Sequence, residues 1–148
     1  TVYKLNFKAF YKDIQVKHCG WNNQKIKRLY NKNITKYNSN DVHEDIITDG
    51  LNIEELKGNV EHYSYHTISE FIIKADRYST LFASNNAGKK SSSPVKAFFN
   101  ASYSFFRTYI LKQGFRDGYV GLVIAFSHMV TNFYKYIKLY EFNKELKK

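Results

Sequence analysis

The stretch HYSYHTISEFIIKADRYSTLFA, residues 62–83, holds the change of period that decides the fold. Thr67-Ile68-Ser69-Glu70 has capping-box spacing, in which a hydroxyl and a carboxylate accept backbone N–H groups that the first helical turn leaves unpaired. Behind it, Ile68, Phe71, Ile72, Ala75, Tyr78, Leu81 and Phe82 recur at helical spacing, which predicts a helix to about residue 85. In front of it, residues 51–62 follow the tight-turn pair Asp49-Gly50 and read as a strand.

Further upstream, Tyr3, Leu5, Phe7, Ala9 and Tyr11 share one parity, and Lys4, Asn6, Lys8 and Lys12 share the other. This alternation predicts a half-buried strand within residues 1–16, bent into a hairpin. His18-Cys19-Gly20-Trp21-Asn22-Asn23 reads as a turn and residues 25–31 as a second strand. Residues 37–41 read as a loop, and 41–47 as a strand end or a helical turn.

Downstream, residues 87–93 form a small, polar, basic linker. Ser93 before Pro94 is an N-cap followed by proline at the first helical position, where its missing N–H costs nothing. That helix should run to about residue 112 and stop at Gly114. A last helix should start near Asp117 and reach about residue 146. Short strands followed by about three helices make the chain α+β. The expected divisions are 1–66, a helix packed on it at 67–88, and a basic, aromatic helical region at 89–148.

Hydrophobic residues make up 43% of the 148 and aromatics 18%, enough for a core and too much for a disordered chain. The single Cys19 rules out an internal disulfide and an all-cysteine zinc site. No signal peptide opens the chain, and a start at Thr1 in mid-pattern predicts a piece of a longer protein. The net charge of +10 is uneven: residues 89–148 carry 11 of the 23 Lys and Arg but only 3 of the 13 Asp and Glu. A basic, aromatic region favours an anionic partner such as membrane headgroups, lipid phosphates or nucleic acid. Residues 118–134 carry no charge, but at 17 residues with Ser127, His128, Thr131 and Asn132 among them they fall short of a convincing span. Burial, an oligomer interface, or a place in the membrane interface all suit them, the last because Lys135, Lys138 and Lys144 stand among aromatics.

Four places offer chemistry. Asp41-Val42-His43-Glu44-Asp45 sets a histidine beside carboxylates, where one could act as general base; a solvated turn would read the same way. His62 and His66 are four apart, a metal-binding spacing on a helix, but both precede the Thr67 cap. Trp21 beside Gly20 could stack on a sugar ring or simply pack. Lys25, Lys27 and Arg28 could meet phosphates, or form the wet side of a strand. No D-x-D, glycine-rich phosphate loop or G-x-S-x-G occurs.

The order HCGW (residues 18–21), KIKRLYNK (25–32), DVHEDIITDG (41–50), LKGNVEHYSY (56–65) and ADRYSTLFA (75–83), with YILKQGFRDGYVGLVIAF (109–126), resembles family 2 glycosyltransferases of the lipopolysaccharide-core type. The resemblance covers nearly the whole chain. It implies the acceptor-side half of a GT-A fold, with a donor half elsewhere that holds a nucleotide-sugar and a divalent Mg or Mn ion through D-x-D. No tightly bound cofactor is expected on these residues alone. It implies Glu44 as the base that deprotonates the acceptor hydroxyl, in a single displacement with inversion. Asp45 would be the reserve base, and His43 would orient Glu44. His62 would approach the metal or the diphosphate leaving group, and Trp21, Arg28 and Lys25 would line a substrate site. The implied partners are a lipid-anchored glycan acceptor and an anionic membrane surface reached through 89–148, with self-association through the C-terminal helices as a further option. The implied location is cytoplasmic, peripheral on the inner membrane. The alternative is a non-enzymatic basic module for anionic lipid or nucleic acid. No recognisable nucleic-acid module occurs, so no nucleic-acid partner is expected.

Overall fold

The computed structural model describes residues 1–40 and 44–148. Four strands come first: β1 (Val2–Tyr11), β2 (Ile14–Gln15), β3 (Gln24–Leu29) and β4 (Ile53–Tyr65). Three long helices follow: α1 (Ile68–Asn86), α2 (Pro94–Phe106) and α3 (Gly118–Glu145). The fold is α+β.

β1 is the centre of a mixed sheet. On one edge it pairs antiparallel with β2 (Phe10 opposite Gln15) and then with β3 (Phe7 opposite Gln24). On the other edge it pairs parallel with β4 (Ala9 opposite His62). The β1–β2 hairpin closes at Lys12, whose φ of 52° is left-handed. β3 ends and β4 begins at the same end of β1, so the link between them leaves and returns at that end of the sheet. Within the described part of this link, Tyr37 and Ile46 form an antiparallel bridge. Ile46 therefore belongs to a bridge, neither a strand end nor a helical turn; residues 41–43 lie outside the described residues.

The period change at Thr67 is realised as a cap. The Thr67 hydroxyl accepts from Glu70 N–H at 3.3 Å, and the Glu70 carboxylate accepts from His66 N–H at 2.7 Å, one residue ahead of the cap. α1 then buries Phe71, Ala75, Ser79 and Ala83, a stripe at four-residue spacing. Ser93 caps α2 by accepting from Lys96 N–H at 3.1 Å, with Pro94 at the first helical position.

α2 runs into one π-helical turn, Arg107–Leu111, then a 3₁₀ turn, Gly114–Asp117. The expectation that Gly114 stops the helix needs a correction. Gln113, at φ 57°, is the left-handed residue that ends it. Gly114 is there for packing: a Cβ on it would lie 2.9 Å from both Cys19 Sγ and the Thr108 carbonyl oxygen.

α3 packs against both α1 and α2. Its Val120, Ile124, Ala125 and Leu139 are buried. This accounts for part of the uncharged run at 118–134, since a helix covered on two sides needs apolar residues on more than one stripe, while Tyr119, Leu122, Phe126 and Tyr134 stay exposed. Among the described residues no helix is long and apolar enough to cross a membrane. Lys138 fastens α3 to α1: its Nζ meets the Asp76 carboxylate at 2.8 Å and the hydroxyls of Ser79 and Thr80 at 2.9 and 2.8 Å. The main core joins sheet to helices through Ala9, Tyr11, Val16, Cys19, Phe71, Val120 and Ile124.

Candidate functional site

The cleft with mixed aromatic and polar walls lies where the end of β4 meets α1. Strand alternation sends His62 to the same face of the sheet as Ala9, its partner on β1, and as Phe7. The turn after β2 brings Trp21 against this face, and the first turns of α1 bring Lys74 and Tyr78. Together they enclose about 470 Å³, with Gln24, Ser64 and Tyr65 also on the walls.

The aromatic wall is stacked. Tyr65 and Phe71 lie nearly parallel with centroids 4.0 Å apart, and Trp21 stacks on Tyr65 at 5.6 Å. The Lys74 ammonium sits 3.9 Å from the Tyr65 ring centroid and donates to the Ser64 carbonyl at 2.7 Å. Such a contact attracts the cation to the ring's electron-rich face. Burial pushes the Tyr65 phenol above its ordinary pKa, with the Tyr78 hydroxyl and Glu70 adding to the effect. It therefore stays a neutral hydrogen-bonding group at neutral pH. His62 stands edge-on to Phe7 at 5.6 Å, with its Nδ1 3.2 Å from the Ser64 hydroxyl. The wall sets aromatic side chains beside several donors and acceptors, the two kinds of group a sugar site uses.

Trp21 and His62 are thus brought together, while the other candidate residues are not. Gln24 lines the cleft, and Lys27, at odd spacing from it along β3, points to the opposite face of the sheet. There its ammonium meets the Asp45 carboxylate at 2.6 Å and the Ile46 carbonyl at 3.2 Å. The segment with Glu44 and Asp45 is therefore fastened to the face of the sheet away from the cleft. The hydrogen bond from Lys27 holds the Asp45 carboxyl below the usual range, with the Ile46 N–H helping. Glu44 is exposed, and among the described residues its side chain makes no hydrogen bond or ion pair. His43 lies outside the described residues. Lys25 pairs with Glu55 at 2.8 Å, both half exposed, and Arg28 donates to the Tyr37 hydroxyl at 3.0 Å. Such surface pairs contribute little to stability.

His62 was also the expected neighbour of a metal. Among the described residues no group of three or more His, Cys, Asp or Glu side chains could hold a metal ion. The residues around His62 do not by themselves make such a site, and no chemical step is drawn through one.

A larger groove of about 660 Å³ runs between α1 and α3, walled by Ile72, Leu122, Val123 and Phe126. It is less suited to chemistry, because two of its few polar groups, Asp76 and Lys138, are engaged with each other.

Sequence reasoning passed over Asp117, Tyr65 and Lys74. Asp117 looked like a helix-starting acid, yet its side chain makes no cap bond and reaches the turn at residues 17–19 instead. Lys74 and Tyr65 carried no signal beyond helical and strand spacing. No family model matches this sequence, and no solved structure matches this fold.

Proposed function

We propose that this chain is the acceptor-side part of an inverting glycosyltransferase. Its reaction moves a sugar from a nucleotide-sugar to a lipid-anchored glycan of the lipopolysaccharide-core kind, on the cytoplasmic face of the inner membrane. The observation that supports the reading most is that Trp21 and His62, from two of the ordered motifs, line one cleft with a sugar-sized aromatic and polar wall. The donor half, with its D-x-D and divalent metal, belongs to the rest of the enzyme in this reading.

Glu44 is the base. It takes the proton of the acceptor hydroxyl as that oxygen attacks the anomeric carbon and the nucleoside diphosphate leaves from the opposite side. Asp45 is the weaker candidate, because an anion already paired with Lys27 and depressed in pKa is a poor proton acceptor. The cleft lies on the other face of the sheet, so it serves a different sugar unit of the extended acceptor from the one Glu44 deprotonates. His43 keeps the role of orienting Glu44.

The charge of residues 89–148 supports a second reading, a non-enzymatic basic module for anionic ligands. The comparison that separates them uses the chain joined to its donor half. Glu44→Gln should lower turnover roughly 10²–10⁴-fold, the usual worth of a general base, with donor binding unchanged. Asp45→Asn should cost much less. Full activity in both variants would overturn the assignment, and no transfer by the intact enzyme would favour the second reading.

A further inference from the structure

α2 is folded the wrong way round for water. It buries Ala97 and Ala101 against the rest of the molecule and exposes Val95, Phe98, Phe99, Tyr103 and Phe106, each between 49% and 65% exposed. Large apolar side chains normally take the covered side of a helix, and the small ones can be left outside. At about 100° per residue these five side chains form one stripe opposite the two alanines, with Lys96 and Arg107 together along one flank. The neutral, apolar partner that such a stripe needs must also tolerate cations at its border.

The charge of the chain on either side of α2 in sequence is one-sided. Residues 77–116 contain seven Lys and Arg and no Asp or Glu. Among the described residues none of these seven takes part in a salt bridge. A second copy laid on this face would bring like charges together across the contact. A bilayer with anionic headgroups meets both demands at once: acyl chains and headgroup borders take the aromatic rings, and lipid phosphates take the cations.

We propose that the outer face of α2 docks the protein on an anionic lipid bilayer, with Phe98 and Phe99 inserted at the headgroup border and Lys96 and Arg107 on lipid phosphates. The face lies on α2, whereas the Trp21–His62 cleft is walled by the sheet, the turn after β2 and α1. The proposal rests on the membrane location in the proposed function and gives it a contact face, and vesicle binding reads it without any sugar transfer.

The test is co-sedimentation of the 148-residue chain with phosphatidylcholine vesicles and with vesicles that also contain phosphatidylglycerol. The wild-type chain should bind the anionic vesicles and lose them as salt rises. Phe98→Ser with Phe99→Ser should weaken that binding roughly tenfold or more, through the lost apolar burial. Lys96→Gln with Arg107→Gln should weaken it by a similar factor at low salt. All four side chains are exposed, so circular dichroism and Trp21 fluorescence should be unchanged. In a Phe98→Trp variant, lipids brominated on the acyl chains should quench the new emission. Equal binding to both vesicle types, wild-type binding by the Phe double variant, or no quenching would overturn the proposal. So would vesicle binding that is absent while the chain forms a dimer that the Phe double variant dissociates, which would make the face a contact between copies.

Discussion

The carboxylate of Asp117 accepts the backbone N–H of His18 at 2.8 Å and lies 2.9 Å from the Nδ1 of the same residue's ring. It also accepts from Lys17 N–H at 3.2 Å, and its side chain is only 3% exposed. One residue at the start of α3 thus holds the turn that carries Trp21 into the cleft. Asp117→Ala leaves two backbone donors without that acceptor and should cost roughly 2–4 kcal/mol. Asp117→Asn, which retains one acceptor oxygen, should cost less. Urea unfolding of the two variants measures the difference, and equal losses would show that one remaining acceptor oxygen does not hold the turn.

Cys19 lies beside that carboxylate, with its sulfur 3.8 Å from Asp117 Oδ2. Burial, with the negative charge of Asp117 second, pushes its thiol up to about 12. The thiolate is the reactive form, so alkylation by iodoacetamide at pH 8 should run roughly 10³-fold slower in the folded chain than in urea. Native labelling at the rate of a free cysteine would mean that the 17–21 turn opens readily.

At the crossing of α3 with the preceding turn, a Cβ on Gly121 would sit 1.7 Å from the Gly114 carbonyl oxygen. The obstacle is backbone and cannot swing aside. Gly121→Ala should therefore cost about 3 kcal/mol or more, the upper end for overpacking. Gly114→Ala should cost a similar amount, and the pair less than the sum because both spread the same crossing. Thermal or urea unfolding checks each, and a Gly121→Ala variant as stable as the parent would show that the helices can separate freely.

Burial lowers the His128 pKa from 6.5 to about 4, and the ammonium groups of Lys112 and Lys135 push the same way. Its Nδ1 is 3.0 Å from the Thr108 hydroxyl, which can donate to the neutral ring. The unfolded chain takes up this proton first. Stability from this group is full above about pH 6.5, falls as pH drops, and is lost by about pH 4. Each tenfold difference in proton affinity between the folded and unfolded chain is worth about 1.4 kcal/mol, so the loss is roughly 3 kcal/mol at most. Denaturation series at pH 7.5 and 4.5 should show that slope in the wild type and a smaller one in His128→Leu. An unchanged slope would place the acid sensitivity elsewhere.

Features that close within a few residues were legible in advance. The Thr67 and Ser93 caps, the β1–β2 hairpin and the three helices each follow from local hydrogen bonding or local period, and each was found. The candidate site was legible only as a set of residue types. That Trp21 and His62 share a cleft while Asp45 faces the other side depends on the register of β1 with β3 and β4, and no local pattern states which strands pair.

The sequence by itself determined which segments are strands and helices, because capping and periodicity are properties of neighbours along the chain. Only the tertiary structure decided what covers each face. Period says that Val120, Ile124 and Ala125 lie close together on α3, but not that α1 and α2 flank them. It marks Phe98 and Phe99 as apolar, but their exposure follows from Ala97 and Ala101 giving α3 the closer approach. Asp117 has the position of a helix cap, yet the turn at His18 takes its carboxylate, because there it meets two backbone N–H groups and the His18 ring at once, whereas a cap would satisfy the exposed start of α3 that water can also serve.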